Sequence, residues 1–332
     1  MSFSQSNSEI VKSIEYFTLK TVNLTRNNFR MTKLPNFLIV GAAKCGTTSM
    51  SEYLKQHPQI FISEVKEPRF LSSQAHPFPL NGPGDAKRES RYIKKYPDYQ
   101  QLFQSINDQI AIGEASADTL YFHQKTIPAI KQYIGEQPKI IIMLRDPVKR
   151  AFSAYQHLIR DQRETASFEE GLRKEEERIQ NNYELIWYYR GVSRYYESVK
   201  AFLENFDQVH VIINEDFQER PEKVFCELFN FLEVDPSFNV DTSIQYNRSG
   251  IPQSRLFHNF LVNDSHWLRK LARPVFHSLT SLEFRKKMIY SIVYLNFKRI
   301  QINIYTSEML KREFLTEKYR MEDLLNRSLP WL

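Results

Sequence analysis

Short apolar runs that alternate with segments of helical spacing constrain the fold of this chain most strongly. The runs lie at residues 37–40, 110–113, 139–144 and 209–213. Consecutive apolar residues are typical of strands that are buried on both faces of a parallel sheet. The alternation therefore predicts an α/β fold with a central parallel β-sheet flanked by helices, followed by a mainly helical C-terminal part.

Residues at the ends of these runs indicate where helices begin. The third run leads into Asp146, which suits a helix N-cap, and Pro147, which suits the first helical position. After the fourth run, Pro221 begins another helix. Before that run we expect a helix whose apolar face includes Tyr188, Tyr195, Val199, Phe202, Leu203 and Phe206.

The length of 332 residues allows one large α/β domain or two small ones, and we favour one because no interdomain linker is evident. Residues 1–34 are polar and predict a tail or a loosely docked helix. We assign residues 35–332 to one domain, whose C-terminal portion over 250–332 is helical and basic. Residues 68–106 are rich in Pro, Gly, Tyr and charge and predict a long loop, which in a compact domain is usually functional or disordered.

Composition excludes several classes of protein. Hydrophobic residues make up 42% of the chain, which is too many for a disordered protein, and the 2 cysteines are too few for a disulfide scaffold. We expect both thiols to be free. No apolar run reaches the ~20 residues that span a bilayer, and the N-terminal sequence lacks the features of a signal peptide, so we expect a cytoplasmic protein.

The net charge of +6 arises from an excess of basic residues within 250–332. A peripheral membrane or another polyanionic surface could contact these side chains, although a solvated helix face is the simpler interpretation. No nucleic-acid partner is expected. The candidates for such a contact are Lys286, Lys287, Lys298 and Arg299.

The segment from Gly41 to Thr48 predicts a phosphate-binding loop between a strand and a helix. Small residues allow the backbone N–H groups to converge, and the helix N-terminus adds a positive partial charge. A Walker A loop would need Lys directly after the final Gly, but Thr47 follows Gly46 and Lys44 lies inside the loop. The candidate nucleotide contacts here are Lys44, Cys45, Gly46, Thr47, Thr48 and Ser49.

A second anion-binding position is predicted where the third apolar run ends. Arg145 lies at the carboxyl end of that strand, the edge at which open α/β sheets bind ligands, and Ser153 lies in the helix that follows. The planar guanidinium of Arg suits a phosphate. Two phosphate positions on one sheet suggest a nucleotide that is phosphorylated at two separate places.

In this order and context, the two motifs resemble the sulfotransferase family that uses 3′-phosphoadenosine 5′-phosphosulfate (PAPS). The resemblance extends over roughly residues 35–255 and is closest to the bacterial and carbohydrate (heparan-sulfate-like) branch. It implies the sulfotransferase architecture, which is related to that of the P-loop kinases. The other segments that carry the resemblance are Lys66-Glu67-Pro68-Arg69-Phe70, Gly113-Glu114-Ala115-Ser116, the stretch from Arg145 to Tyr155, the Tyr-rich segment near Arg190-Gly191, and Asn247-Arg248-Ser249-Gly250.

The resemblance implies how the donor nucleotide is held. Lys44, with Gly46, Thr47 and Thr48, matches the loop that binds the 5′-phosphosulfate, and Lys44 would neutralise charge on the leaving phosphate. The 3′-phosphate would contact Arg145 and Ser153. A later loop that closes over the same phosphate would comprise Arg248, Ser249 and Gly250.

For the transfer itself, the resemblance implies Glu67 as the general base, with a solvated Glu in a charged turn as the alternative. His157 lies four residues after Ser153 and therefore on the same helical face. It matches an active-site His of the N-sulfotransferases, but a helix-surface His paired with a carboxylate is an equal alternative. No metal site is predicted, because no His pair has a ligand spacing.

The expected reaction is transfer of sulfonate from PAPS to a hydroxyl or amine, which leaves 3′-phosphoadenosine 5′-phosphate (PAP). The acceptor would be a glycan, a lipid or a small molecule, and Ala115 stands where many glycan-sulfating relatives have a Lys that grips an acidic acceptor. A P-loop kinase-like phosphoryl transferase and a non-catalytic polyanion-binding protein on a degenerate sulfotransferase fold are the alternatives. Aromatic residues that stack on a sugar or, as we favour, pack in the core are Tyr92, Tyr96, Tyr99, Trp187, Tyr188 and Tyr189.

Overall fold

A computed structural model describes residues 33–243, 250–252, 297–298 and 300–332. Residues Pro35–Leu332 form one compact unit. The tail or helix predicted over 1–34 lies outside the described residues except for residues 33 and 34, and so does most of the basic portion after residue 250. The division of the chain into these parts stays a prediction.

Within the described residues, five strands form one parallel sheet, as predicted. Their order across the sheet is β2-β3-β1-β4-β5. The strands are β1 (Phe37–Gly41), β2 (Ile60–Ile62), β3 (Ala111–Ala115), β4 (Lys139–Leu144) and β5 (Val209–Ile213). Strands β1 and β4, which are neighbours inside the sheet, carry apolar residues on both faces, as is typical of a parallel sheet covered by helices on both sides. Every residue of β1 is buried.

The chain visits the two halves of the sheet one after the other. From β1 it crosses to β2 and β3 on one side, and from there to β4 and β5 on the other. The strand order therefore reverses between β1 and β4, and a crevice opens at their carboxyl ends, where open α/β sheets bind ligands.

Twelve α-helices lie in the described part of the chain, with two 3₁₀ turns at Leu185–Trp187 and Gly191–Ser193. A two-residue strand β6 (Ile251–Pro252) pairs with β7 (Phe297–Lys298) in antiparallel orientation. The helices are α1 (Thr47–Leu54), α2 (Phe70–Ser73), α3 (Asp85–Glu89), α4 (Tyr96–Gln101), α5 (His123–Tyr133), α6 (Pro147–Arg160), α7 (Phe168–Arg173), α8 (Glu175–Gln180), α9 (Tyr196–Asn205), α10 (Asn214–Glu219), α11 (Pro221–Leu232) and α12 (Ile304–Leu325).

Helix α6 begins as its sequence predicts. The Asp146 side chain accepts a hydrogen bond from the Lys149 backbone N–H at 2.9 Å, which satisfies one of the unpaired donors of the first turn, and Pro147 occupies the first position. The second carboxylate oxygen of Asp146 accepts from the backbone N–H of Leu332 at 2.8 Å. The end of the chain is thereby held against the start of α6.

Two expectations about the middle of the chain were wrong in detail. The helix before β5 begins only at Tyr196, and Tyr188 lies between the two 3₁₀ turns. Residues 68–106 contain three short helices instead of a structureless loop. The physical reason is that the segment has a buried centre of its own, since Asp85 and Tyr99 are fully buried.

The aromatic residues of these segments pack in the core, in agreement with the favoured interpretation. Phe70 stacks on Tyr99 with ring centroids 4.7 Å apart. The indole of Trp187 donates to Asp85 at 3.1 Å. Five of the six named aromatics are buried, and Tyr96 is half-buried and packs against the core; the buried ones are Tyr92, Tyr99, Trp187, Tyr188 and Tyr189.

No helix among the described residues combines the length and the apolar character that crossing a membrane requires. Cys45 is buried, Cys226 is exposed, and both are free thiols.

Candidate active site

A cavity of about 1090 Å³ opens at the carboxyl ends of β1 and β4. Its walls come from the loop between β1 and α1, from α6, from the segment before α2 and from the 3₁₀ turn at Leu185–Trp187. Among the described residues, it brings together most of the predicted site. The predicted site residues that line it are Lys44, Gly46, Thr47, Thr48, Ser49, Glu67, Arg145, Ser153 and His157.

The loop between β1 and α1 curls tightly around Gly46. This residue has φ 98°, and a Cβ placed on it would lie 2.6 Å from the Asn214 amide nitrogen. That amide donates to the carbonyl of Cys45 at 3.0 Å and so fixes the loop from α10. A side chain at position 46 is excluded by this close approach, and the N-terminus of α1 faces the cavity through Thr47 and Thr48.

Cys45 departs from the expectation of a nucleotide contact. Its side chain is fully buried in the core, with Sγ 3.7 Å from the hydroxyl of Tyr195. Its backbone N–H donates to Ala42 within the loop at 3.1 Å. Burial raises the pKa of this thiol to about 11, so Cys45 serves the packing beneath the loop.

Arg145 and Ser153 line the cavity from β4 and α6. Nε of Arg145 is buried and has no hydrogen-bond partner among the described residues. A buried guanidinium N–H without a partner is costly unless an anion satisfies it. This orphaned donor fits the phosphate group that the sequence predicts here.

Lys44 lies half-buried in the cavity, with Nζ 3.5 Å from Nδ1 of His157. Burial, together with the nearby Arg160 and Lys66, lowers the pKa of the Lys44 ammonium to about 7. The charged form of this side chain is therefore not fully neutralised by nearby acidic groups, as expected of a group that binds an anionic ligand.

His157 lies among cations. Arg160 donates to Nδ1 at 2.5 Å, and Nε2 faces the Asp161 carboxylate at 3.5 Å. Burial and the charges of Lys44, Arg160 and Arg88 hold the pKa of His157 well below its ordinary value. The imidazole lines the cavity and also has a carboxylate neighbour in Asp161, so the active-site role of His157 stays a prediction.

Glu67 projects into the same cavity from the turn before α2. Arg69 donates to its Oε2 at 2.6 Å. Burial by itself raises the pKa of Glu67, but Arg69 and Lys66 outweigh burial and hold the pKa below its ordinary value. The carboxylate is therefore ionised and able to accept a proton.

Sequence reasoning missed several charged residues of the cavity. Arg160 follows His157 by three positions on α6, so the helical period could have found it. Asp161 follows His157 by four positions, and Lys66 and Arg69 flank Glu67, so these three were also within reach, whereas the other residues come from segments whose folding the sequence does not reveal. Besides Arg160, the missed residues are Lys66, Arg69, Arg88, Asp118, Asp161 and Glu184.

The later loop of the predicted site is described only in part. Arg248 and Ser249 are outside the described residues. Gly250 is buried and directly precedes β6, which lies beside α6, the helix that carries Ser153. Within the described part of the chain, no group of three or more His, Cys, Asp or Glu side chains could hold a metal ion.

Comparisons with known proteins identify the family of this chain. The profile of the Sulfotransferase family matches residues 35–238. A solved sulfotransferase from Alicyclobacillus acidocaldarius is 36% identical, with a TM-score of 0.68, and the match covers 90% of this chain and 98% of that chain. The extent of both matches confirms the resemblance that the motifs indicated.

Curated relatives match in part of their length. Carbohydrate sulfotransferase 15 of Mus musculus is 29% identical over 173 residues, which is 43% of this chain and 30% of that protein. The bifunctional heparan sulfate N-deacetylase/N-sulfotransferase 1 of Caenorhabditis briggsae is 25% identical over 273 residues, 77% of this chain and 28% of that protein. The family profile, which spans well over half of the chain, and the likeness to the bacterial structure together show that the chain belongs to the sulfotransferase family.

Proposed function

We propose that this protein transfers sulfonate from PAPS to a hydroxyl or amine group of a carbohydrate acceptor. One observation carries the proposal. A single cavity holds the Lys44 loop, Arg145 with its unpaired Nε, and the carboxylate of Glu67. These are a site for each end of a doubly phosphorylated nucleotide and a base that faces the space between.

The chain's own residues would hold the donor at two ends. The N-terminus of α1 and the hydroxyls of Thr47 and Thr48 would bind the 5′ end, and Lys44 would supply the positive charge there. Arg145 and Ser153 would bind the 3′-phosphate. His157, whose Nδ1 lies 3.5 Å from Nζ of Lys44, would help to orient that side chain.

The transfer is an in-line displacement at sulfur. The acceptor oxygen or nitrogen forms a bond to sulfur, the bond from sulfur to the bridging phosphate oxygen breaks, and its electron pair remains on PAP. Glu67 would take the proton of the acceptor, while Lys44 would stabilise the charge that develops on the leaving phosphate.

The character of the cavity supports a polar acceptor. Its wall near Glu67 carries Lys66, Arg69, Arg88 and Glu184. Side chains of this kind bind hydroxyl, amine and acidic groups, and the names of the matched relatives include carbohydrate and heparan sulfate. A carbohydrate acceptor is therefore the substrate class that we propose.

The test measures the passage of ³⁵S from labelled PAPS to a panel of p-nitrophenyl glycosides, glucosamine and desulfated heparin. We expect Lys44→Ala and Arg145→Ala to abolish transfer and to weaken PAP binding by calorimetry. Glu67→Gln should lower turnover by about 100-fold or more and leave PAP affinity unchanged. The matched control is Lys149→Ala, which removes an exposed cation from α6.

Three results would contradict the proposal. Unchanged PAP affinity in both cation variants would remove the nucleotide site, and a fully active Glu67→Gln would remove the base. Magnesium-dependent transfer of ³²P from ATP would favour a kinase. Salt-sensitive binding of heparin without transfer to any acceptor would favour a polyanion-binding protein.

A further inference from the structure

Arg69 connects the carboxylate of Glu67 to the protein interior. Its guanidinium donates to Glu67 Oε2 at 2.6 Å, to Glu184 Oε1 at 2.9 Å and to the hydroxyl of Tyr92 at 3.0 Å. Its Nε lies 3.8 Å from Oδ2 of Asp118. Three of these four partners, Glu184, Asp118 and Tyr92, are buried. The Glu67 side chain is 26% exposed and is therefore the partner that can meet a substrate in the cavity.

The contacts of Arg69 extend further into the protein. Arg163 donates to the second oxygen of Glu184 at 2.8 Å and also to Asp85. Asp85 in turn accepts from the backbone N–H of Glu184 at 2.7 Å. Each buried charge has an opposite charge beside it, so the position of Arg69 is determined by the packing of α3 and the 3₁₀ turn.

The backbone of Arg69 is held as well. Its N–H donates to Oγ of Ser116 at 2.9 Å, and that hydroxyl donates to Oε2 of Glu114 at 2.9 Å. Glu67 and Arg69 both have positive φ, at 52° and 56°, which is unfavourable for residues with a Cβ and requires support from the surroundings. The bond to Ser116 on the end of β3 supplies it.

We propose that Arg69 is a positioning residue that holds the Glu67 carboxylate by one oxygen and presents the carboxylate to the acceptor. The inference rests on the proposed role of Glu67 as the base. Glu114 and Glu184 oppose the ionised form of Glu67, while Lys44, Lys66 and Arg69 favour it. Among the described residues, only Arg69 donates a hydrogen bond to the Glu67 side chain.

The first experiment needs no acceptor. In protein labelled with ¹³C at the Glu carboxyl carbons, the Glu67 resonance is identified by its loss in Glu67→Gln. We expect the wild-type resonance not to titrate between pH 5 and 8. In Arg69→Gln the pKa of Glu67 should rise, because burial then acts against fewer positive charges, and the resonance should begin to titrate within this range.

A second variant, which should change the pKa of Glu67 in the opposite direction, distinguishes an electrostatic effect from a general loss of structure. Glu184→Gln removes a negative charge that raises the pKa of Glu67. The midpoint of the Glu67 titration should therefore fall, and the resonance should still not titrate between pH 5 and 8. Arg69→Lys keeps the charge but loses the planar fork, and we expect the pKa to stay low while kcat falls about tenfold or more. The KM for PAPS should be unchanged in every one of these variants.

Two outcomes separate this inference from the proposed function. If Glu67→Gln is inactive but Arg69→Gln leaves both the Glu67 titration and kcat unchanged, Arg69 has no positioning role and the proposed function stands. If Glu67→Gln is fully active, Glu67 is not the base, and the inference falls with it. Should Arg69→Gln fail to fold, Arg69→Lys decides, since an unchanged kcat in that variant overturns the inference.

Discussion

Lys44 has an ammonium group that is only partly protonated near physiological pH, because burial and two neighbouring cations lower its pKa to about 7. A phosphate beside it would reverse this effect and favour the charged form. Binding of PAP should therefore be accompanied by uptake of a proton. At pH 6 the lysine is already protonated, and the uptake should vanish.

Because binding takes up a proton, the affinity for PAP should depend on pH. Above pH 7 the affinity for PAP should fall by as much as tenfold per pH unit until the pKa of the bound state is reached. Calorimetry at pH 8 in two buffers of different ionisation enthalpy measures the protons taken up. Lys44→Arg is the control, because a guanidinium stays protonated, and an uptake that persists in this variant would assign the proton to another group.

Helix α6 carries residues of the site on one face and a structural anchor on another. Ser153, His157 and Arg160 face the cavity. Arg150 is fully buried, and its guanidinium donates to the carbonyls of Ala43, Tyr188 and Tyr189 at 3.0 to 3.1 Å. One side chain therefore joins α6 to the nucleotide loop and to the segment between the 3₁₀ turns.

Arg150→Met should therefore destabilise the protein and weaken nucleotide binding together. Three buried carbonyls would lose a charged donor, which we expect to cost about 2–4 kcal/mol of the free energy of unfolding. Chemical denaturation measures this cost, and calorimetry measures the affinity for PAP. The exposed Lys149→Met, one position earlier on α6, is the control; equal effects of the two changes would contradict the role of Arg150.

The elements that sequence could predict are those with a local signal. The start of α6 has its N-cap and proline, and the loop after β1 has its glycines, so the positions of Arg145 and Lys44 follow from the residues beside them. β2 was missed because three residues are too few to show a period. The burial of Glu184 and Asp85 could not be predicted, because their cationic partners are distant in sequence. Without a known partner, an acidic residue is expected on the surface.

At the scale of the whole molecule, the sheet brings the loop of Lys44 and the Arg145 side chain to one edge, where we propose that the nucleotide binds. PAP at 100 times its dissociation constant should raise the free energy of unfolding by about 2.7 kcal/mol, or the melting temperature by roughly 4 °C. ADP lacks the 3′-phosphate that Arg145 and Ser153 would bind, so its shift should be smaller. Differential scanning calorimetry tests the difference, and it should disappear in Arg145→Ala.

The same measurement bears on metal dependence. We expect EDTA to change neither the melting temperature with PAP nor the rate of transfer, because in the proposed site Lys44 and the N-terminus of α1 would supply the positive charge at the 5′ end. A rate that falls with EDTA and returns with magnesium would contradict this assignment.

The chain of buried ion pairs from Glu67 through Arg69, Glu184 and Arg163 to Asp85 has a consequence for engineering. It joins the segment at 68–106 to the segment around 163–187, although the two are far apart in sequence. A chimera that takes the first segment from a relative in order to change the acceptor would leave buried charges on the second without partners. The two segments should therefore be exchanged as one cassette, and an exchange of either alone should yield insoluble protein.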